Sequence, residues 1–121
     1  MNNNHIIPKN TAIPRLAIND VTYRQLLNDF LLRIEDYLQN IADEQNKDID
    51  FIRNGNILTI VLHNKTQLII NQHEPLHELW LASKQDGYHG YWTIEENWRD
   101  SRTQKLMWDI VIEQYSLQSS I

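Results

Sequence analysis

Three tight-turn signals divide the middle of this 121-residue sequence into short segments of strand-like pattern. Asn54-Gly55 is a strong two-residue hairpin signal because both positions tolerate a positive φ. Asn64-Lys65 and Asp86-Gly87 supply two further turns. Closely spaced turns of this kind predict consecutive antiparallel strands. We expect about five to six strands, at residues 48–53, 56–63, 66–71, 76–83, 88–92 and, as a short last one, 97–99.

Helical periodicity precedes the strands. Residues 19 to about 44 carry apolar side chains at helical spacing. Either Asn19 or Asp20 fits the N-cap position, where a side-chain oxygen accepts a hydrogen bond from a free backbone amide of the first turn. The predicted inner stripe consists of Tyr23, Leu26, Leu27, Phe30, Ile34, Tyr37, Leu38 and Ile41.

A second helix follows the strands, and Ser101 or Thr103 is expected to cap it. It should run to about residue 117, with Met107, Ile110, Val111 and Gln114 on its inner side. The order helix, strands, helix predicts an α+β two-layer sandwich with both helices packed on one face of an antiparallel sheet. The other face is then open to water. Residues 1–17 are polar and aperiodic, which predicts a flexible N-terminal tail before a single domain at 18–121.

Composition excludes several classes of protein. The absence of cysteine rules out a disulfide, a thiolate metal site and a cysteine nucleophile. No apolar run is long enough to span a membrane, and the N-terminus lacks the pattern of a secretory signal. A cytoplasmic, monomeric protein is the expectation.

The net charge of -5 lies in one early segment. Residues 19–50 contain eight acids and three bases, and the rest of the chain sums to zero. This distribution argues against a nucleic-acid partner, which needs clustered Lys and Arg. It favours cations or a basic protein surface. The alternative is a solvated face that only confers solubility.

The segment after Pro75 predicts an exposed tryptophan. Proline cannot donate to a sheet ladder, so Pro75 marks a strand entry or a break. Alternation then gives one face with His77, Leu79 and Leu81 and an opposite face with Glu78, Trp80 and Ala82. Because the leucines belong in the core, Trp80 is a candidate partner anchor on the open face. The alternative is that neighbouring strands half-bury it.

Catalytic patterns are not found. The three glycines form no phosphate loop or dinucleotide fingerprint, and no triad or HExxH pattern is present, so we expect a protein that is not an enzyme. A histidine pair is the remaining metal hypothesis, since His77 and His89 could meet across neighbouring strands. The alternative is that each imidazole is solvated or hydrogen-bonded.

The chain resembles the frataxin family, specifically its bacterial members, from about Asn19 to Gln114. The segments that carry the resemblance are Leu68–Asn71, Glu74–His77, Leu79–Ala82, Gly87–His89, Trp98 and Trp108–Asp109. Asn71, Pro75 and Trp80 fit the family pattern, whereas His73 stands where glutamine is usual.

The resemblance implies a role in iron–sulfur cluster assembly. Bacterial frataxins bind iron (Fe2+ or Fe3+) weakly on an acidic ridge and dock on the cysteine desulfurase and its scaffold machinery. Carried over by position, the metal-binding ridge would contain Asp20, Glu35, Asp36, Asp43, Glu44, Asp48 and Asp50. The partner-binding residues would be Trp80, Asn71, Glu35 and Asp36.

Four departures from the family weaken the predicted ridge. Asn28, Gln39 and Asn40 replace carboxylates, and Arg24 replaces a histidine. We therefore expect lower iron affinity than is usual in the family, with iron bound mostly near Glu35, Asp36 and residues 43–50. These departures favour a regulator that docks on the desulfurase, since docking survives the loss of some carboxylates more easily than a multi-ligand ion site does. The alternative is an iron chaperone or store for which docking is secondary.

Overall fold

The computed structural model describes residues 11–121. Two helices flank six strands in the predicted order. The elements are α1 (Asp20–Glu44), β1 (Ile49–Asn54), β2 (Ile57–Leu62), β3 (Gln67–His73), a short 3-10 helix (Glu74–Leu76), β4 (Glu78–Ala82), β5 (Gly87–Trp92), β6 (Trp98–Asp100) and α2 (Met107–Ser119).

Side chains and backbone geometry set both ends of α1. At the start, the Asn19 side chain accepts a hydrogen bond from the Thr22 amide at 2.8 Å, which confirms Asn19 as the N-cap. At the end, Asn46 adopts a left-handed conformation with φ of 56°. The Asn46 and Lys47 amides then donate to the carbonyls of Asp43 and Ala42. This pair of bonds is a Schellman motif, which satisfies carbonyls that the helix leaves free.

The buried stripe of α1 is rotated relative to the predicted one. Leu31 is fully buried although the predicted stripe omits it, while Tyr37 is 43% exposed. Tyr37 lies on the margin of the helix, where its ring meets Trp108 of α2 at 5.4 Å. The side chains buried along α1 are Tyr23, Leu27, Phe30, Leu31, Ile34, Leu38 and Ala42.

The sheet is fully antiparallel, and each strand pairs with its neighbours in sequence, in the order β1-β2-β3-β4-β5-β6. The first hairpin closes at the pair Asn54↔Ile57, so its two loop residues are Gly55 and Asn56, one position later than predicted. Gly55 has φ of 61°, a conformation that glycine adopts without strain.

One face of the sheet is covered by both helices. Leu79 and Leu81 are among its inward side chains, which confirms the alternation predicted for β4. The full set is Leu58, Ile60, Leu62, Leu68, Ile70, Leu79 and Leu81. We call this the covered face and the opposite one the open face. The fold is the predicted α+β two-layer sandwich.

The second helix begins later than predicted. Neither Ser101 nor Thr103 caps it, since α2 starts at Met107 after an extended Leu106. The buried Asp100 carboxylate explains the difference, because it accepts hydrogen bonds from the Thr103 amide and hydroxyl, both at 2.8 Å. Residues 101–105 are thereby held in a turn. The four predicted inner residues of α2 are all buried.

The described part of the predicted tail lies beside β5. The Leu16 amide donates to the Trp92 carbonyl, and the Ile94 amide donates to the Pro14 carbonyl, both at 3.0 Å. The flexibility expected of residues 1–17 stays a prediction. Residues 1–10 lie outside the described residues. Within residues 11–121, no helix combines the length and apolar character that crossing a bilayer requires.

Candidate functional site

Trp80 lies on the open face of the sheet, stacked between two histidines. Its ring is 4.1 Å from that of His73 and 4.1 Å from that of His89, with interplanar angles of 17° and 7°. The indole N–H donates to Glu78 Oε1 at 2.8 Å. Trp80 is half-buried, as the alternative predicted, because neighbouring strands cover the faces of its ring. Its role as a partner anchor stays a prediction.

Strand register brings the surroundings of Trp80 together. Asn71 on β3 and His89 on β5 are its direct cross-strand partners. His73 comes from the next open-face position of β3 and is the partner of Glu78. The predicted partner-binding residues Asn71 and Trp80 are therefore adjacent. We call Asn71, His73, Glu78, Trp80 and His89 the tryptophan cluster.

Beyond the tryptophan cluster, the open face carries exposed aliphatic side chains. Ile52 on β1 is 53% exposed and Ile57 on β2 is 40% exposed. Ile69 on β3 is half-buried and lies beside Ala82 of β4. An uncovered apolar strip next to an aromatic anchor is typical of a protein interaction surface.

Glu78 is a buried carboxylate with two partners. Only 7% of the residue is exposed, although alternation places it on the open face. Its second oxygen, Oε2, accepts from the Arg15 guanidinium at 2.7 Å. The Arg15 guanidinium also lies over the Tyr91 ring, 5.2 Å from its centre. Sequence reasoning missed this contact because Arg15 and Glu78 are 63 residues apart.

His77 does not meet His89, and the alternative of a hydrogen-bonded imidazole holds for His77. His77 precedes β4 in a left-handed conformation with φ of 50°, just after the 3-10 helix that contains Pro75. Its Nε2 lies 2.6 Å from Asp20 Oδ1, and its ring stacks on Tyr23 at 4.9 Å. The break predicted at Pro75 is confirmed, and it turns His77 toward α1 and away from the tryptophan cluster.

Tyr23 joins α1 to β4 beneath this corner. Its fully buried phenol donates to the Glu78 carbonyl at 2.7 Å. Burial, reinforced by the Glu74 and Glu78 carboxylates, raises the pKa of Tyr23 to about 12. The phenol therefore stays neutral and keeps its proton for this hydrogen bond through the physiological range.

The predicted ridge is spread along the whole of α1 and into β1. Asp20 is in the first turn, whereas Glu35 and Asp36 are fifteen or more positions further along the helix. At 1.5 Å per residue, Asp20 is about 22 Å from Glu35 along the axis. Asp20, already paired with His77, therefore cannot share one ion with the rest of the ridge.

Bases neutralise the middle of α1. Arg53 on β1 donates to Glu35 Oε2 from two nitrogens, at 3.2 and 2.7 Å. Arg33 pairs with Asp29 at 3.1 Å. Sequence analysis missed the role of Arg53, which strand alternation places on the covered face and directs toward α1. A cation at Glu35 would be opposed by the positive charge of this guanidinium.

Acidic charge remains uncompensated at the far end of α1. We call this the acidic end; its residues are Asp43, Glu44, Asp48 and Asp50. Within the part of the chain that the structure describes, no base forms an ion pair with any of them. The last turn of α1 also has no basic residue, so these carboxylates face the negative end of the helix dipole.

The acidic end is open in geometry. Among residues 11–121, no three His, Asp or Glu side chains come together in a group that could hold a metal ion. Asp36 and the residues of the acidic end are all exposed, and Asp43 Oδ1 accepts a hydrogen bond from the side-chain amide of Gln39 at 2.9 Å. Metal binding by the seven predicted ridge residues stays a prediction.

Comparison with known proteins identifies the family. Residues 16–120 match the frataxin-like domain. The chain belongs to the frataxin family. Family membership covers nearly all of the described residues, including both candidate surfaces, and it agrees with the resemblance seen in the sequence.

Curated relatives in this family share about a third of their residues with the chain. The iron-sulfur cluster assembly protein CyaY of Shewanella baltica (strain OS155) is 37% identical over 87 residues, which are 72% of this chain and 79% of that protein. The CyaY protein of Vibrio parahaemolyticus is 35% identical over 94 residues, or 78% and 86% of the two chains.

A solved structure shares the fold. Frataxin from Psychromonas ingrahamii, described as a model to study stability modulation within the CyaY protein family, has a TM-score of 0.72 and 31% identity. The similarity covers 85% of this chain and 93% of that one. The frataxin fold, with two helices packed on a six-stranded antiparallel sheet, is therefore confirmed.

Proposed function

We propose that this protein is an accessory protein of iron–sulfur cluster assembly that docks on the cysteine desulfurase complex. The observation that carries the proposal is the Trp80 side chain held on an uncovered sheet face in a member of the frataxin family. Relatives of this chain are named iron-sulfur cluster assembly proteins. The proposed role is binding and regulation rather than catalysis.

Two surfaces would act together in docking. The tryptophan cluster and the neighbouring isoleucines supply an apolar contact around an aromatic anchor. The acidic end supplies negative charge, which would steer the protein toward a basic patch on the desulfurase. This division predicts that salt slows association, while loss of Trp80 speeds dissociation.

The four tryptophans offer a direct test by NMR. Trp80 is on the open face, whereas Trp92, Trp98 and Trp108 pack against the helix-covered core. Titration of 15N-labelled protein with the desulfurase, without iron, should broaden or shift the Trp80 indole signal and leave the other three nearly unchanged. An unchanged Trp80 signal at stoichiometric partner and low salt would contradict docking through this face.

Matched substitutions separate anchoring from general loss of surface. Trp80→Ala should weaken binding to the desulfurase by roughly 30-fold or more, as expected for an interface hot spot. The control is Leu117→Ala, which removes apolar surface from a side chain of α2 that is 43% exposed. Equal affinities for the two variants would contradict the anchor role.

A second candidate function, iron carriage, is favoured by the acidic end. Hard cations prefer carboxylate oxygens, and the uncompensated carboxylates there are the strongest cation attractor on the ridge. The double variant Asp43→Asn and Glu44→Gln should weaken Fe2+ binding while leaving the tryptophan cluster intact. If this variant still supports the desulfurase while Trp80→Arg does not, docking is the primary function.

A further inference from the structure

The orientation of the Trp80 side chain is restricted from three directions. Imidazole rings cover both faces of the indole, and Glu78 accepts its N–H. The hydrocarbon edge of the indole is therefore what the ring offers to a partner. This contact suits an apolar pocket, because the polar group of the side chain is already satisfied within the protein.

Glu78 is held in place by the same contacts that orient the indole. Its side chain is only 10% exposed, and a carboxylate removed from water in this way needs charged or hydrogen-bonding partners to offset the lost hydration. Its two oxygens have one side-chain donor each: the indole of Trp80 at 2.8 Å and the guanidinium of Arg15 at 2.7 Å. Arg15 thus supplies the positive charge next to Glu78.

Arg15 is in turn fixed by its own segment. It forms an isolated β-bridge with Thr93, and its guanidinium also donates to the Leu76 carbonyl at 3.1 Å. Close by, the Tyr91 hydroxyl donates to the Ile13 carbonyl at 2.6 Å. The segment at residues 11–17 is therefore linked to Trp80 by a continuous chain of contacts through Arg15 and Glu78.

We propose that Arg15 and Glu78 are positioning residues for Trp80. We further propose that the segment at residues 11–17 belongs to the docking surface, because it holds Arg15 in place. The link to docking rests on the proposed function, whereas the link to the indole does not. Preorganising a side chain that would otherwise lose rotamer freedom on binding raises affinity by reducing that entropy loss.

The indole N–H provides a readout that needs no partner. In 15N-labelled full-length protein, Arg15→Ala should shift the Trp80 indole signal and speed its exchange with solvent by roughly 2- to 10-fold, the range for one net hydrogen bond. Arg15→Lys, which keeps the charge, should restore most of the wild-type behaviour. Lys105→Ala is the control, since it removes a base whose side chain is 50% exposed, close to the 45% of Arg15, and breaks an ion pair with Glu113 far from Trp80 in the sequence.

Substitutions at Glu78 separate hydrogen bonding from packing. Glu78→Gln keeps an oxygen that can accept the indole N–H, whereas Glu78→Leu has a similar size and no acceptor. The indole signal should move less in the glutamine variant than in the leucine variant. Equal changes in the two variants, or an unchanged indole signal in Arg15→Ala, would overturn the positioning role.

Affinity for the cysteine desulfurase then tests the consequence for docking. Arg15→Ala should weaken binding by roughly 2- to 10-fold, the range for one side chain that must be immobilised on association. An altered indole with unchanged affinity would overturn the inclusion of residues 11–17 in the docking surface. Failure of Trp80→Ala to weaken binding would instead overturn the proposed function, and the indole measurements would still decide the positioning role.

Discussion

The two faces of the sheet are built by different interactions. The covered face is a continuous layer of aliphatic and aromatic side chains closed by α1 and α2. The open face has half-buried groups held by stacking, one hydrogen-bonded carboxylate and an arginine from a distant segment. Under the proposed function, stability and recognition would be separated across one sheet: burial makes the covered face, and orientation of a few polar and aromatic groups makes the open one.

Two adjacent isoleucines test this separation most directly. Ile70 is fully buried on the covered face, while Ile69 is half-buried on the open face. Ile70→Ala should lower the free energy of unfolding by about 3 kcal/mol, because it leaves a cavity in packed surroundings. Ile69→Ala should lower it by less than about 1 kcal/mol. Urea denaturation of both variants provides the measurement. Similar losses of unfolding free energy would contradict the different roles of the two faces.

Two glycines of β5 give the next largest contrast. A Cβ added at Gly90, on the covered face, would meet Met107 Cγ at 2.6 Å and the Leu79 carbonyl oxygen at 3.2 Å. At Gly87 the nearest contact would be the Leu81 carbonyl oxygen at an ordinary 3.9 Å. Gly90→Ala should cost about 1–3 kcal/mol through overpacking, and Gly87→Ala should be close to neutral. Thermal unfolding measures both, and a neutral Gly90→Ala would contradict the tight approach of α2.

Tyr23, which is buried against the covered face, makes the free energy of unfolding depend on pH above pH 10. Its pKa of about 12 in the folded protein exceeds the ordinary value of 10.0. The stabilisation is therefore fully present below pH 10 and is lost as the pH rises from 10 through about 12. Wild type should lose on the order of 1–2 kcal/mol more than Tyr23→Phe over this interval. Urea denaturation of both proteins at several pH values tests this difference. If their free energies of unfolding fall in parallel, the raised pKa of Tyr23 is contradicted.

The smallest expected effect is in the last turn of α1. The double variant Asp43→Asn and Glu44→Gln removes two carboxylates from the negative end of the helix dipole. The free energy of unfolding should rise by about 0.5 kcal/mol at low ionic strength. The gain should shrink in high salt, which screens exposed charges. A loss of stability at low salt would show that these carboxylates make stabilising contacts.

Local patterns in the sequence were sufficient to predict most of the fold. The N-cap at Asn19, the six strands and the break at Pro75 follow from rules that act over a few residues. The start of α2 was predicted wrongly because the buried Asp100 carboxylate competes for the Thr103 amide and hydroxyl. Leu31 was missed because the rotation of α1 about its axis depends on how it packs against α2 and the sheet.

The candidate site was predictable from the residues alone only where it depends on strand alternation. Trp80 was found from its place along β4, whereas Asn71 was named only through the resemblance to the frataxin family. The histidine stack was not found, because it depends on the register between three strands. Arg15 and Arg53 were missed because their partners are distant in sequence, at 63 and 18 residues.

This difference in sequence separation has a consequence for the order of folding. The tryptophan cluster lies on three strands joined by short turns, within the continuous stretch 71–89, so its members can meet as the hairpins close. The contact of Arg15 with Glu78 closes a loop of 63 residues, which carries a larger entropic cost. We therefore expect the indole of Trp80 to reach its final orientation after the hairpins have closed, when the N-terminal segment docks, so its signal would report a late step of folding.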